Sequence, residues 1–128
     1  MKKKIQDYIE SKKLFYFSDK LIIGLSGGAD SVFLLHILHK LGYQCIIAHC
    51  NFHLRGEESM RDELFVKELS KNYQLPFYKI DFDTFSYAKE NKISIEMAAR
   101  ELRYQWFEKL RVQEKATFIA TGHHEDDN

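Results

Sequence analysis

The sequence predicts an α/β domain with a doubly wound, mostly parallel sheet and helices on both faces of that sheet. Short apolar runs rich in β-branched residues recur along the 128 residues, and they alternate with longer segments whose apolar residues are spaced as on a helix. A strand, a helix and a second strand in that order form a right-handed βαβ unit. We therefore expect a single domain over residues 1–128, with a sheet of four or five strands.

The first strand and the first helix enclose a glycine turn. Leu21 to Leu25 has the length of a buried strand, and the six residues SGGADS (26–31) separate it from a helical segment. Glycines let a backbone approach an anion closely, and the first N–H groups of a helix have no internal partner, so the turn predicts a phosphate site. Ser26 and Ser31 can add hydroxyl donors, and the Asp30 carboxylate suits Mg²⁺, which usually accompanies phosphates. The dinucleotide fingerprint G-x-G-x-x-G and the Walker A lysine are absent.

The second strand leads into a polar loop. Gly42 is expected to end the first helix, and Cys45 to His49 then forms a buried strand. The loop HCNFHLRG (49–56) follows at the carboxyl end of the sheet, where ligands bind in open α/β folds. The alternative is a loop whose asparagine and glycine only make turns.

The remaining segments continue the alternation. Glu57 to Tyr73 predicts an exposed helix with an apolar stripe at Met60, Leu64, Phe65 and Leu69. The later elements are a strand at Phe77–Asp81, a short helix at Asp83–Asn91, a long helix at Ile95–Glu114 capped by Ser94, and a strand at Thr117–Thr121.

Two charged groups of residues follow. Arg100 and Arg103 share one side of the long helix and are candidates for binding an α-phosphate, although surface pairing with Glu96 and Glu101 explains them equally well. The segment GHHEDDN (122–128) follows the fourth strand and combines imidazoles with carboxylates, which predicts a metal or acid/base site. Its spacing is not that of the H-x-x-x-H zinc enzymes.

The amino-acid composition limits the classes of protein to which this chain can belong. Nineteen basic and nineteen acidic side chains cancel, so no global field attracts nucleic acid or a membrane. Cys45 and Cys50 form no C-x-x-C pair, and we interpret them as reduced thiols. No apolar run approaches the roughly 18 residues of a membrane span, and we expect a cytoplasmic protein.

The sequence contains four motifs in this order: SGGADS at 26–31, HCNFHLRG at 49–56, AARELRY at 98–104 and GHHEDDN at 122–128. Together they resemble the N-terminal catalytic domain of the tRNA(Ile)-lysidine synthases, a family of N-type ATP pyrophosphatases in the PP-loop superfamily. The family patterns are S-G-G-x-D-S, H-x-N-H-x-L-R-G, A-R-x-x-R-Y and H-H-x-D-D-x-x-E-T. The resemblance implies a Rossmann-like sheet of the adenine nucleotide α-hydrolase type.

The resemblance also implies a reaction. ATP adenylates the C2 oxygen of the wobble cytidine in a CAU-anticodon tRNA(Ile), and free L-lysine then displaces AMP to give lysidine. By motif, the residues that would bind ATP are Ser26, Gly27, Gly28, Ala29, Asp30, Ser31 and Arg103. Asp30 would bind Mg²⁺, and the catalytic residues would be Asp30, Arg103, His123 and Asp127. Asp126 and Asp127 would bind lysine, and the substrate loop would include His49, Asn51, Arg55 and Gly56.

The sequence departs from this family at two places. Phe52 stands where the family commonly has histidine, and the chain ends at Asn128, before the expected glutamate and threonine. We therefore expect the N-terminal part of a longer enzyme, inactive alone, whose tRNA contacts lie mostly elsewhere. The alternatives are a tRNA thiolase, which the missing C-x-x-C pairs disfavour, an amide-forming NAD or GMP synthetase, and a non-catalytic ATP-binding module.

Overall fold

The structure, a computed structural model, describes residues 20–121 and has four strands and four helices in that range. They are β1 (Lys20–Gly24), α1 (Ala29–Lys40), β2 (Gln44–Asn51), α2 (Glu57–Tyr73), β3 (Phe77–Asp81), α3 (Thr84–Asn91), α4 (Ile95–Glu114) and β4 (Phe118–Thr121). Every element predicted within this range is confirmed, with ends shifted by about two residues at most. None of the helices in residues 20–121 is long and apolar enough to cross a membrane.

The four strands form one parallel sheet in the order β3-β2-β1-β4. The chain therefore adds β2 and β3 on one side of β1, crosses back through α3 and α4, and adds β4 on the other side of β1. This reversal makes a topological switch point between β1 and β4. In folds of this kind, the carboxyl ends of the strands at the switch point border the usual ligand crevice.

Helices cover both faces of the sheet, which confirms the doubly wound prediction. Alternate residues of a strand point to opposite faces, and β1 is buried on both. One core cluster joins β1 and β2 to α1 and α2 through Leu21, Ile23, Ile47, Leu35, Leu38 and Val66. The other joins the same strands to α4 through Ile22, Ile46, Ala48, Phe107 and Leu110.

Local signals set the helix ends as predicted. The Ser94 hydroxyl accepts a hydrogen bond from the Met97 N–H group at 3.1 Å at the start of α4. Gly42, just after α1, has a φ of +98°, a conformation that glycine adopts without steric cost. Both signals act within one helical turn, which is why the sequence alone reveals them.

Of the apolar stripe predicted for helix α2, only Leu69 faces the core. Val66 is fully buried and Leu69 packs against the same core, whereas Met60, Leu64 and Phe65 are 45%, 60% and 47% exposed. Val66, Leu69 and Ser70 lie on one side of a helix, and this is the side that faces the sheet. The buried Ser70 hydroxyl donates to the Val66 carbonyl at 2.9 Å, so its burial leaves no unsatisfied donor.

Candidate functional site

The glycine turn is held in shape by its own serines. Gly27 has a φ of +95°, which reverses the chain after β1. The Ser31 hydroxyl donates to the Gly28 carbonyl at 2.9 Å and accepts from the Ser26 N–H group at 3.4 Å. The Ser26 hydroxyl accepts from the Gly28 N–H group at 3.3 Å. Within this structure the two serines therefore organise the turn rather than point freely away from it.

Helix α1 begins directly at the turn. Its N-cap is Gly28, which has no side chain to bind the first amides, and Ala29 and Asp30 form the exposed first turn. Uncapped amides at a helix start, together with the helix dipole, favour an anion at this place. The first turn of α1 thus leaves backbone amides without a side-chain cap at the place where the sequence predicts a phosphate site.

A cavity of about 350 Å³ opens beside this turn at the carboxyl ends of the strands. That volume lies in the range of small-ligand sites. Five residues predicted from the sequence line the cavity: Ser26, His49, Asn51, Arg55 and Arg103. Gly27, Gly28, Ala29, Asp30, Ser31 and Gly56 are not among its lining residues and lie along the chain next to those that are.

The other lining residues were not predicted as site residues from the sequence. They are Gly24, Leu25, Cys50, Phe52, Leu54, Ser59, Asp62, Phe107 and Thr121. Cys50, Phe52 and Leu54 lie inside the HCNFHLRG motif, so the motif as a whole was the available signal. Gly24 and Thr121 end β1 and β4 and mark the switch point.

His49 joins the end of β2 to the start of the glycine turn. Its imidazole is buried, and Nδ1 lies 2.7 Å from the Leu25 carbonyl oxygen. A carbonyl only accepts, so Nδ1 carries the proton in this contact. The Leu25 N–H group also donates to the Ala48 carbonyl at 2.9 Å, and the two bonds fix the position from which the turn departs.

The Asn51 side chain forms hydrogen bonds to the loop and to α2. It is buried, with Nδ2 donating to Glu63 Oε1 at 3.1 Å and Oδ1 accepting from the His53 N–H group at 2.9 Å. His53 has a φ of +54°, and its Nε2 lies 2.8 Å from Asp81 Oδ1. Gly56, also with a φ of +54°, precedes α2. Asn51 and Gly56 thus make the turns that the alternative interpretation of this loop expected, and Asn51 also lines the cavity.

Arg55 lines the cavity and contacts two carboxylates of α2. Its Nη2 lies 2.6 Å from Asp62 Oδ2, and its Nη1 lies 3.4 Å from Glu58 Oε2. The Arg55 N–H group donates to the Ser59 hydroxyl at 3.1 Å. The loop is therefore attached to the first two turns of α2, a connection that sequence reasoning missed.

Arg103 and Arg100 share one side of α4 but differ in their relation to the site. Both guanidinium groups lie near the Tyr104 ring, with the Cζ atoms 5.1 Å and 5.5 Å from its centroid. Arg103 lines the cavity, whereas Arg100 is not among the lining residues. Phe107, one turn after Arg103, packs under Gly24 and sets the distance of α4 from β1.

Cys45 is buried, whereas Cys50 is partly buried and lines the cavity. Burial raises the pKa of Cys45 to about 11 and that of Cys50 to about 12, although Arg103 acts in the opposite direction on Cys50. Both cysteines are free, which agrees with their interpretation as reduced thiols. At neutral pH neither supplies a reactive thiolate.

His123, Asp126 and Asp127 lie outside the described residues, as does the rest of the GHHEDDN segment. The described chain reaches Thr121, which lines the cavity. Within residues 20–121, no group of three or more histidine, cysteine, aspartate or glutamate side chains could hold a metal ion.

The family model for the PP-loop domain matches residues 1–128. A tRNA(Ile)-lysidine synthase of Bacteroides thetaiotaomicron is 60% identical over 121 residues, covering 94% of this chain and 28% of that protein. Proteins of the same name from Parabacteroides distasonis and Petrotoga mobilis are 57% and 40% identical, with 97% and 98% of this chain and 28% and 41% of those proteins covered. The chain thus spans less than half the length of these relatives.

Among solved structures, an NH3-dependent NAD synthetase from Campylobacter jejuni, in complex with a nitrate ion, has a TM-score of 0.70 to this chain. The two are 17% identical, and the likeness covers 93% of this chain and 54% of that one. At this identity the likeness concerns the fold, and it agrees with the predicted adenine nucleotide α-hydrolase type of sheet.

Proposed function

Because the chain belongs to the PP-loop domain family, we propose that it forms the ATP-binding part of a tRNA(Ile)-lysidine synthase. The similarity predicted from the four motifs is confirmed by relatives of that name at 52–60% identity. The proposed reaction joins L-lysine to C2 of the wobble cytidine in a CAU-anticodon tRNA(Ile). Residues 1–128 would constitute one PP-loop domain of that enzyme.

The observation that supports ATP binding is the cavity at the switch point. The glycine turn and the start of α1 offer backbone amides on one side, and Arg103 lines the cavity from α4. ATP would bind with its β- and γ-phosphates on the turn and its α-phosphate toward Arg103. The guanidinium would then stabilise the charge that develops on the α-phosphate during attack.

Two displacement steps complete the proposed reaction. The C2 oxygen of cytidine attacks the α-phosphorus, the bond from that phosphorus to the bridging oxygen breaks, and pyrophosphate leaves. The ε-amine of lysine then attacks C2, the C2–O bond to AMP breaks, and the amine loses a proton. Adenylation makes sense because it converts a poor leaving oxygen into a phosphate ester.

The residues of the GHHEDDN segment have roles only by motif in this proposal. His123 and Asp127 would act in catalysis, and Asp126 and Asp127 would bind the lysine ammonium group. A carboxylate is the natural partner of such a group.

Mg²⁺ fits the chemistry of Asp30. This carboxylate is exposed in the first turn of α1, next to the turn proposed to hold phosphate. Mg²⁺ is usually held by one or two carboxylates together with substrate phosphates, so a single aspartate at this place suffices. When bound, the ion would neutralise charge on the phosphates.

The proposed tRNA contacts lie mostly in the part of the relatives that this chain does not match. Its equal numbers of basic and acidic residues support this, because binding the phosphate backbone of a nucleic acid needs an excess of lysine and arginine. A tRNA substrate would place the enzyme in the cytoplasm.

The proposal is tested by AMP release from ATP in the intact protein, with L-lysine and a tRNA(Ile) transcript carrying the CAU anticodon. We expect release that requires both co-substrates and incorporates labelled lysine into the tRNA. Arg103→Gln should abolish release, and Lys109→Gln, an exposed position on the same helix, should not change it.

Other outcomes would identify the alternatives. AMP release that requires tRNA and a sulfur donor would indicate a thiolase, and release that requires ammonia without tRNA would indicate an amide synthetase. ATP binding without turnover under any of these conditions would indicate a non-catalytic module.

A further inference from the structure

We propose that Asp62 is a positioning residue that holds the Arg55 guanidinium beside the glycine turn, where this guanidinium contacts the β- and γ-phosphates of ATP. The inference rests on the proposed function, since it assumes that the turn binds phosphate. It adds a residue from α2 to the site, at a position that none of the four motifs contains.

Asp62 contacts Arg55 directly. Asp62 Oδ2 accepts from Arg55 Nη2 at 2.6 Å, the short distance of a charge-assisted hydrogen bond. The Asp62 side chain is 30% exposed and that of Arg55 is 61% exposed, so the arginine is held at its partner and open to solvent elsewhere. Both residues line the cavity.

Asp62 also lies against the glycine turn. A β-carbon built on Gly27 would lie 3.0 Å from Asp62 Oδ1 and 3.1 Å from its Cβ and Cγ atoms. The absence of a side chain at Gly27 thus allows the carboxylate to approach the turn. One oxygen of the Asp62 carboxyl group therefore contacts Arg55, and the other lies beside the position that a β-carbon of residue 27 would occupy.

A carboxylate beside a phosphate site repels the phosphate, so Asp62 on its own would weaken phosphate binding. Its contact with Arg55 explains how Asp62 can favour binding instead. A guanidinium has five N–H donors, and the ion pairs described here involve Nη2 with Asp62 and Nη1 with Glu58. The Glu58 contact is 3.4 Å long and exposed, so a phosphate oxygen can replace it at small cost while the Asp62 contact remains.

The backbone supports the same geometry. Arg55 immediately precedes the glycine that starts α2, and its N–H group donates to the Ser59 hydroxyl at 3.1 Å. Asp62 follows Ser59 by three residues and therefore lies on the same side of the helix. The start of α2 thus positions both the main chain and the side chain of Arg55.

The direction in which Asp62→Asn changes the affinity for ATP distinguishes positioning of Arg55 from simple repulsion of the phosphate. Asp62→Asn keeps the shape of the side chain beside Gly27 and removes its charge. If Asp62 only repelled phosphate, this variant would bind ATP more tightly. If Asp62 positions Arg55, the variant should bind both MgATP and inorganic pyrophosphate about tenfold more weakly, the scale of a lost charge-assisted hydrogen bond.

The experiment is calorimetry of the intact protein with MgATP and with inorganic pyrophosphate, for Asp62→Asn, Arg55→Gln and the double variant. We expect each single variant to lose affinity by a similar factor and the double variant to lose no more than either. Glu58→Gln should have a small effect. Glu68→Gln, an exposed carboxylate on the same helix, should have none.

Several results would overturn the inference. Tighter binding by Asp62→Asn, losses that multiply in the double variant, or a loss for ATP without one for pyrophosphate would each do so. A loss in Asp62→Asn that persists undiminished in the Arg55→Gln background would show that Asp62 acts by another route, such as binding the metal. Failure of the wild-type protein to bind either ligand would instead refute the proposed function. Unfolding curves for every variant separate these outcomes from loss of the fold.

Discussion

Replacing Gly24 by alanine should push α4 away from the sheet beside the cavity, which Gly24 and Phe107 both line. The added β-carbon would lie 2.8 Å from Phe107 Cζ, 2.9 Å from Phe107 Cε2 and 3.1 Å from Thr121 Cγ2. Phe107 is 3% exposed and belongs to the core cluster between the sheet and α4, so its ring has little room to move. Overpacking of this kind costs about 1–3 kcal/mol.

A smaller effect acts in the opposite direction. Alanine restricts the unfolded chain more than glycine does and so stabilises the fold by about 0.4–1 kcal/mol. We expect a net loss of about 1–2 kcal/mol in the free energy of unfolding, or roughly 0.5–1 M in the urea midpoint at about 2 kcal/mol per molar urea. ATP affinity should fall as well, because Arg103 lies one turn before Phe107 on the displaced helix.

The assay is urea unfolding of the wild type, Gly24→Ala, Phe107→Leu and the double variant. Shortening Phe107 should cost less in the Gly24→Ala background than in the wild type, because the new methyl group fills part of the space, with a coupling of about 0.5 kcal/mol or more. Gly28→Ala is the matched control, since its β-carbon would meet only Ser26 Oγ at 3.5 Å. Full stability of Gly24→Ala, or equal costs of Phe107→Leu in both backgrounds, would refute the reasoning.

Three further predictions follow from the same contacts. Gly27→Ala would hold an alanine at a φ of +95° and place its β-carbon close to Asp62. It should therefore lower the free energy of unfolding by at least about 1–2 kcal/mol and weaken ATP binding. An unfolding curve that matches that of Gly28→Ala would contradict this. Cys50, with its pKa raised to about 12 by burial, should react with a thiol reagent at pH 8 far more slowly in the native chain than in urea, and equal rates would show that the thiol is accessible. The pKa of Asp81 is lowered, chiefly by the hydrogen bond from Lys79. Its carboxylate therefore stabilises the fold at pH values above its unfolded pKa of about 4, and this stabilisation is lost as the pH falls through the lower pKa of the folded state. The stability difference between the wild type and Asp81→Asn should therefore shrink on acidification below about pH 4, whereas a constant difference between pH 2 and pH 7 would exclude this contribution.

The alternation of strands and helices could be predicted because each element carries its own signal. The β1 strand is a run of apolar residues, α4 begins at a serine whose hydroxyl caps it, and α1 is followed by a glycine in a left-handed conformation. These signals depend on residues within a few positions of one another. Parallel pairing then follows from the length of the crossover helices.

The motifs predicted part of the cavity lining for a related reason. Ser26, His49, Asn51, Arg55 and Arg103 come from three separate motifs, and all line one cavity. The ends of parallel strands meet at one edge of a sheet, so polar residues that directly follow two buried strands are expected to converge there. The sequence could not show that the side chains of Asn51, Ser26 and Ser31 would form hydrogen bonds that hold the loop and the turn in shape.

The sequence by itself determined the order of the elements, the glycine turn between β1 and α1, and the resemblance that led to the PP-loop family, whereas the strand order that places this turn beside a switch point came from the structure. The tertiary structure alone decided which side of α2 is buried, that Asp62 lies against Gly27, and that Phe107 lies against Gly24. The physical reason is distance along the chain. Backbone preference and capping act between neighbours in sequence, whereas these contacts join residues that only the packing of helices onto both faces of the sheet brings together.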